Sequence, residues 1–376
     1  MKIKRHAAVI GFIAAGALAL SACGSDKNAP AGGGAGAPAP TNSAPVDCEG
    51  AKQALTGEGS SAQKGAIDAF VQAYGQKCSG KQFSYTASGS GAGVNQFVGG
   101  QVDIGGSDSA LNKDKGEVDK AATRCKGNPA WNLPVVFGPV AIAYKLNGVT
   151  DLTLNGEVAA KIFNGTIKTW DDPAIKALNP SAGLPAGKPI TVVSRGDESG
   201  TTDNFQKYLK AASKGAWGKD AGKKFNGGVG DGKQGSAGVS DAVAGLDGGI
   251  TYVEWKYAQD KNLSMAKIDS GSGAVELTAE NAANTLKAPK VKGSGNDLAL
   301  DLDAIYAGNT PGAYPLVLAT YEIVCSKGYA PDQAKAVKAF LTTAVTDGQQ
   351  GLTDEGYVPL PSELQAKLLT AINAIA

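Results

Sequence analysis

Residues Ser194 to Asp203 read SRGDESGTTD, and the residues on either side decide how that stretch must fold. Before it, Ile190-Thr191-Val192-Val193 is β-branched and apolar, the composition of a buried strand. After it, Phe205, Tyr208, Leu209 and Ala212 recur at i, i+3, i+4 and i+7, which predicts an amphipathic helix. A Gly/Ser/Thr turn therefore carries a strand into a helix N-terminus, where the first N–H groups have no intrahelical partner. Such a terminus holds about half a positive charge and accepts anions readily. Arg195 adds a planar fork of donors, and Ser199, Thr201 and Thr202 add hydroxyls. Ser, Thr and Asp are also ordinary cap residues, so a well-capped helix explains this stretch when it is taken alone.

Two further stretches repeat the pattern. Thr56-Gly57-Glu58-Gly59-Ser60-Ser61-Ala62 reads as a loop leading into Ile67, Phe70, Val71 and Tyr74 at helical spacing. Ser88-Gly89-Ser90-Gly91-Ala92-Gly93 reads as a loop between the strand-like Phe83-Ser84-Tyr85-Thr86 and a helix carrying Val94, Phe97 and Val98. Three units of strand, Gly/Ser loop and helix suggest that their termini converge on one anion. The better-known phosphate loops do not fit. No G-x-x-x-x-G-K-[ST] occurs, the glycines at 89–93 lack the dinucleotide spacing, and Ser199 sits one position late for a nucleophile elbow.

The sequence totals narrow the function further. The chain has 376 residues, enough for two or three domains, and a formal charge of +1. Lys2, Lys4 and Arg5 precede an apolar run from Ala7 to Leu20, and Leu20-Ser21-Ala22-Cys23 resembles a lipobox. Residues 1–22 therefore read as a bacterial lipoprotein signal, with Cys23 as the lipidated residue. Its removal leaves 33 basic residues against 35 acidic ones, so no basic field exists to hold nucleic acid. Gly24 to Val46 is Gly, Ala, Pro and Ser with little apolar bulk, a disordered tether reaching roughly 25–30 Å, and the folded part is expected to begin near Cys48.

The one histidine, His6, lies inside the signal, so the mature chain has neither a Ser-His-Asp nor a Cys-His mechanism available, nor a His-rich metal site. No metal and no cofactor is expected. Cys48, Cys78, Cys125 and Cys325 form an even set in an exported chain, pointing to two disulfides with three possible connectivities. Cys48 precedes the first strand and Cys78 follows the first helix, which favours Cys48–Cys78 with Cys125–Cys325. Trp131, Trp170, Trp217 and Trp255 read as packing residues, and Gly218 to Gly238, rich in Gly and Lys, as a surface loop.

Asp108, in VDIGGSD at residues 102–108, sets a carboxyl beside the expected anion site. Like charges repel, so this arrangement makes sense for an anion that carries its own proton. Phosphate keeps at least one proton at neutral pH and an ionised carboxylate can accept it; sulfate has none to give. Without that context Asp108 is an ordinary turn or cap aspartate.

Taken together, LTGEGSSA, YTASGSGAGVNQF, VDIGGSDSAL, IFNGTIKTWDDPAIKALNP, RGDESGTTDNFQKYL and GGITYVEWKYA resemble the phosphate-binding protein family of bacterial high-affinity phosphate ABC transporters, actinobacterial lipoproteins in particular. The resemblance spans about Cys48 to Ala376. It implies an α/β fold of the two-lobe periplasmic-binding-protein type II, with the ligand in the interlobe cleft. Residues 48–138 plus 319–376 would form lobe one and 139–318 lobe two, with crossings near Phe137–Val140 and Pro315–Ala319. It also implies phosphate contacts from Ser61, the Ala62 N–H, Ser90, Asp108, Arg195, Ser199, the Gly200 N–H and Thr201, with Asp197 orienting Arg195. The implied protein is a monomeric, lipid-anchored receptor outside the cytoplasm that hands inorganic phosphate to the permease subunits of an ABC importer and performs no catalysis. A receptor for another oxyanion such as sulfate, or a secreted phosphatase, is the alternative.

Overall fold

The computed structural model describes residues 45–376 except 288 and 309; the signal, Cys23 and nearly all of the tether lie outside the described residues. Chain entry is a run of parallel β–α units. β1 (Ala54–Gly59) leads to α1 (Lys64–Lys77), β2 (Gln82–Thr86) to α2 (Ser90–Val98), and β3 (Ile104–Ser107) is followed by α3 (Glu117–Arg124). β4 (Ala130–Lys145) is the long strand of the molecule, buried along almost all of its sixteen residues. Its apolar run suits a strand covered on both faces.

From β4 the chain enters a second α/β region. There β5 (Thr191–Arg195) delivers α4 (Gly200–Ala212), β6 (Asp231–Lys233) precedes α5 (Gly235–Ala244), and β7 (Gly249–Glu254) runs into α6 (Trp255–Asp260). β8 (Val317–Cys325) returns to the first region, which α7 (Pro331–Val345) and α8 (Ser362–Asn373) complete. The nine-stranded sheet has the order β2-β1-β3-β8-β4-β7-β5-β6, with Ser264–Met265 paired to β4 off that path.

β4 joins two sheet halves. Its residues Ala130 to Pro139 pair antiparallel with β8, and Val140 to Lys145 pair antiparallel with β7. One half is β2-β1-β3-β8 and the other β7-β5-β6, and β4 is the strand common to both. The register between β8 and β4 slips at Thr320/Tyr321, opposite Val136 and Pro134. Proline cannot donate to a ladder, which is why a bulge is tolerated there.

Local structure departs from the sequence expectations in three places. Thr56 to Gly59 is strand rather than loop, and Gly91 to Gly93 already belongs to α2. The reason is close packing: a Cβ on Gly93 would stand 2.6 Å from the carbonyl oxygens of Glu58 and Gly106. Glycines that look like turn residues are spent on pressing α2 against β1 and β3. The third departure is Gly218 to Gly238, which is not simply a surface loop. It contains β6 and the start of α5, and Lys223 within it is buried against Glu117 at 3.0 Å.

Both disulfides favoured from the sequence are present, Cys48–Cys78 and Cys125–Cys325. Trp170 and Trp217 are fully buried and Trp131 and Trp255 pack partly buried against the core. Among the described residues no helix is long and apolar enough to cross a membrane.

Candidate functional site

The strand ends of both sheet halves point their loops at one another, and four helix N-termini meet there. Ser199 caps α4 from an extended backbone, its hydroxyl accepting the Thr202 N–H at 3.2 Å. The capped-helix reading of SRGDESGTTD is therefore right as far as it goes, and the cap leaves the Ser199 hydroxyl proton for another acceptor. α1, α2 and α5 have no side-chain cap. The N-terminus of α5 is instead held by other loops: Gly235 N–H donates to Asp197 Oδ1 at 3.0 Å and Ser236 N–H to Ser61 Oγ at 3.2 Å.

Arg195, at the end of β5, is 4% exposed and forms a fork with Asp197: Nε to Oδ1 at 2.8 Å and Nη2 to Oδ2 at 2.5 Å. Burial disfavours both charges, yet the paired geometry outweighs it, holding the guanidinium above its ordinary pKa and the Asp197 carboxyl below its own. Arg195 Nη1 reaches Ser236 Oγ at 3.3 Å, and that hydroxyl lies 2.8 Å from Ser61 Oγ. Arg195, Ser236 and Ser61 thus form one chain from the end of β5, through the N-terminus of α5, to the loop ahead of α1.

Asp108 is 2% exposed at the end of β3. Ser60 Oγ (2.6 Å) and Thr320 Oγ1 (2.7 Å) donate to its Oδ1, and Ser90 Oγ (3.1 Å) to its Oδ2. Burial pushes its pKa up to about 6; the Ser60 and Thr320 hydroxyls and the more distant Arg195 oppose that, and Glu254 adds to it. Gly200, the first residue of α4, faces this carboxyl directly. A Cβ there would lie 2.6 Å from Asp108 Cβ and 2.7 Å from Ser90 Oγ, so only glycine fits. Asn204, one turn into α4, donates to the Asp108 carbonyl at 2.7 Å.

Of the residues singled out in the sequence, Ser61, Ser90, Asp108, Arg195, Asp197, Gly200 and Thr201 are drawn into this cluster, with Ser199 at the α4 cap. The Ala62 N–H is directed at Ser60 Oγ, 3.0 Å away, and the Thr201 hydroxyl at Glu254 Oε1. Sequence reasoning missed Ser60, Thr320, Asn204, Glu254 and Ser236. Ser236 carried a readable signal: Gly235-Ser236 precedes Val239 and Val243 at helical spacing, the same signature as the other three termini. Thr320 and Glu254 had none, being polar residues inside apolar strands.

Chemically the cluster is a set of hydroxyls, one guanidinium and helix N-termini surrounding one carboxyl with a raised pKa. Among the described residues no group of three or more His, Cys, Asp or Glu side chains is arranged to hold a metal ion.

The chain is similar to known proteins along its full length. A family model described as a PBP superfamily domain matches residues 36–347. Phosphate-binding protein PstS 3 of Mycobacterium tuberculosis is 52% identical over 378 residues, covering 100% of both chains. Phosphate-binding protein PstS of Methanocaldococcus jannaschii is 32% identical over 342 residues, 84% of this chain and 85% of that one. Among solved structures, the periplasmic phosphate-binding protein PfluDING with bound phosphate superposes with a TM-score of 0.67 at 23% identity, covering 84% of this chain and 93% of that one. A putative phosphate ABC transporter substrate-binding protein from Clostridium perfringens gives a TM-score of 0.58 at 21% identity, covering 82% and 99%. At those identities the structural likeness speaks for the fold.

Proposed function

This chain belongs to the PstS family of phosphate-binding proteins within the PBP superfamily, and from that premise we propose that it binds inorganic phosphate between its lobes and delivers it to an ABC importer. The observation that carries the reading is Asp108: a buried carboxyl, fed by three hydroxyls and pressed against a helix N-terminus, is the acceptor that a protonated oxyanion requires. Around it Ser61, Ser90, Arg195, Ser199, the Gly200 N–H and Thr201 act as donors or partners of the remaining oxygens, with Ser60, Ser236 and Thr320 supporting them and Asp197 aiming Arg195. The Ala62 N–H joins them once Ser60 turns toward the ligand.

Magnitudes favour this division of labour. Four helix ends at ~0.3–1 kcal/mol each supply roughly 1–4 kcal/mol, short of the ~8 kcal/mol of micromolar binding. Charge-assisted hydrogen bonds at ~1.5–3 kcal/mol each, from Arg195 and to Asp108, supply the rest.

The proposal takes residues 48–138 with 319–376 as one lobe and 139–318 as the other; the continuous pairing of β4 with β8 and then β7 supports a division close to Pro139. It further takes the protein as a monomer, lipid-anchored through Cys23 on the extracytoplasmic face, that binds its ligand without turning it over. Isothermal titration with phosphate and with sulfate tests it, with Arg195→Ala as the control. Micromolar or tighter phosphate binding, at least tenfold preferred over sulfate and abolished in Arg195→Ala, is expected. Equal binding of sulfate refutes the ligand assignment, and metal-independent hydrolysis of a phosphomonoester that vanishes in Ser199→Ala refutes the absence of turnover.

A further inference from the structure

A cavity of about 350 Å³ opens between the segment joining β3 to α3, the first turns of α4 and the chain ahead of β6. Ser109 and Asp203 form its inner wall, and none of the residues assigned above to the phosphate oxygens lines it. Five lysines, Lys113, Lys115, Lys207, Lys223 and Lys292, share it with three carboxylates, Asp114, Glu117 and Asp203. That is a local excess of two positive charges, on a chain that without its signal carries 33 basic residues against 35 acidic ones.

Two of the three carboxylates are already satisfied. Lys207 Nζ and Ser109 Oγ donate to Asp203 Oδ2 at 2.7 and 2.6 Å. Lys223 Nζ donates to Glu117 Oε1 at 3.0 Å, and the Asn112 N–H to Glu117 Oε2 at 2.8 Å. Lys113, Lys115 and Lys292 are exposed, and among the described residues none of the three pairs with a carboxylate. Gathering like charges round one cavity costs self-repulsion, which a bound anion relieves. A lone anionic group gains little there, because each pairing with an exposed lysine is weak; several linked groups engage all three lysines at once. No aromatic side chain lines the cavity to stack on a base.

We propose that this cavity is a second anion site, built for condensed inorganic phosphate, a chain of linked phosphate groups. Lys113, Lys115 and Lys292 pair with the oxygens of the chain, while Lys207 and Lys223 neutralise Asp203 and Glu117 so that neither repels it. The volume falls within the ~300–1,000 Å³ of small-molecule pockets and is more than one orthophosphate fills. The inference goes beyond the phosphate reading above and stands independently of it, since the two sites share no residue.

The test is calorimetric titration of the full chain with inorganic triphosphate and, separately, with metal-free ATP, in excess orthophosphate and at about 50 mM salt, where surface charges are weakly screened. The wild type should bind one triphosphate per chain, at least as tightly as ATP. The triple variant Lys113→Ala, Lys115→Ala, Lys292→Ala should bind triphosphate about tenfold or more weakly, each lysine contributing a few-fold. A control replacing Lys168, Lys214 and Lys219, exposed lysines that do not line the cavity, should leave triphosphate affinity unchanged. No triphosphate binding by the wild type overturns the proposal, as does a control variant that loses as much as the triple variant. Displacement of triphosphate by orthophosphate, one for one, would place it in the cleft and also overturn the proposal. A tenfold preference for ATP would overturn the assignment to condensed inorganic phosphate. Failure of orthophosphate alone to bind would refute the phosphate reading and not this one.

Discussion

Replacing Asp108 with asparagine should move stability and affinity in opposite directions. The carboxyl is fully buried, and burial raises its pKa from 3.8 to about 6. A folded-state pKa above the unfolded value means that the folded chain holds the proton more tightly than the unfolded chain does. The associated stability is therefore complete below about pH 4 and is lost as pH rises through about 6. At neutral pH, ionised Asp108 costs the ligand-free protein about 3 kcal/mol, at ~1.36 kcal/mol per pH unit of displacement. Asparagine has the same shape and no charge to desolvate, so Asp108→Asn should be more stable without ligand by up to about 3 kcal/mol. Phosphate should nevertheless bind more weakly. The variant loses a charge-assisted hydrogen bond worth ~1.5–3 kcal/mol, about ten- to a hundredfold in affinity, while its amide can donate to a bare sulfate oxygen. Urea unfolding of the ligand-free chain and calorimetry with both anions near neutral pH measure the two effects. An unchanged phosphate-to-sulfate ratio would remove Asp108 as the proton acceptor, and a less stable variant would show that its hydroxyl partners outweigh its desolvation.

The same logic predicts that the wild type loses selectivity for phosphate over sulfate as pH is lowered from about 7.5 to about 5, where Asp108 takes up a proton; a ratio that stays constant contradicts it. Glu322, buried on β8 with neither carboxyl oxygen partnered and Gln63 beside it, has its pKa pushed up to about 8, chiefly by burial. Stability tied to its proton is present below about pH 4.5 and lost as pH rises through about 8, so Glu322→Gln should gain on the wild type across that interval by up to about 5 kcal/mol, read from urea midpoints at about pH 5 and pH 9. Ser236→Ala removes the hydroxyl linking Arg195 to Ser61 and should weaken phosphate binding about tenfold with little change in the unfolding midpoint, which calorimetry and circular dichroism can separate. Breaking Cys125–Cys325, which spans a sequence separation of 200, should cost about 5 kcal/mol against about 4 for Cys48–Cys78 at a separation of 30, compared by denaturation of the two double-serine variants.

Much of this protein is legible in its sequence because helix starts are local chemistry. Ser199 and Gly89 lie three and four residues from the N–H groups they accept, those of Thr202 and Gly93, so the strand–loop–helix units around residues 61, 90 and 199 could be read directly, and so could the even cysteine set and the packing role of the tryptophans. What those units meet is not local. Thr320 donates to Asp108 across 212 residues of chain, and Ser61 touches Ser236 across 175. Both contacts exist because β4 pairs first with β8 and then with β7, which brings the two sheet halves edge to edge and turns their loops toward one cleft. Glycine was the misleading residue: Gly59 and Gly93 look like turn formers, yet they sit in strand and helix where backbones pack too closely for a Cβ, and Gly57 sits in a strand with the Phe83 ring against it. The sequence alone therefore determined which segments end in anion-seeking helix starts. Only the tertiary structure decided which hydroxyls and carboxyls stand opposite one another, because a hydrogen bond needs its partners within about 3 Å and strand register, not spacing along the chain, sets that distance.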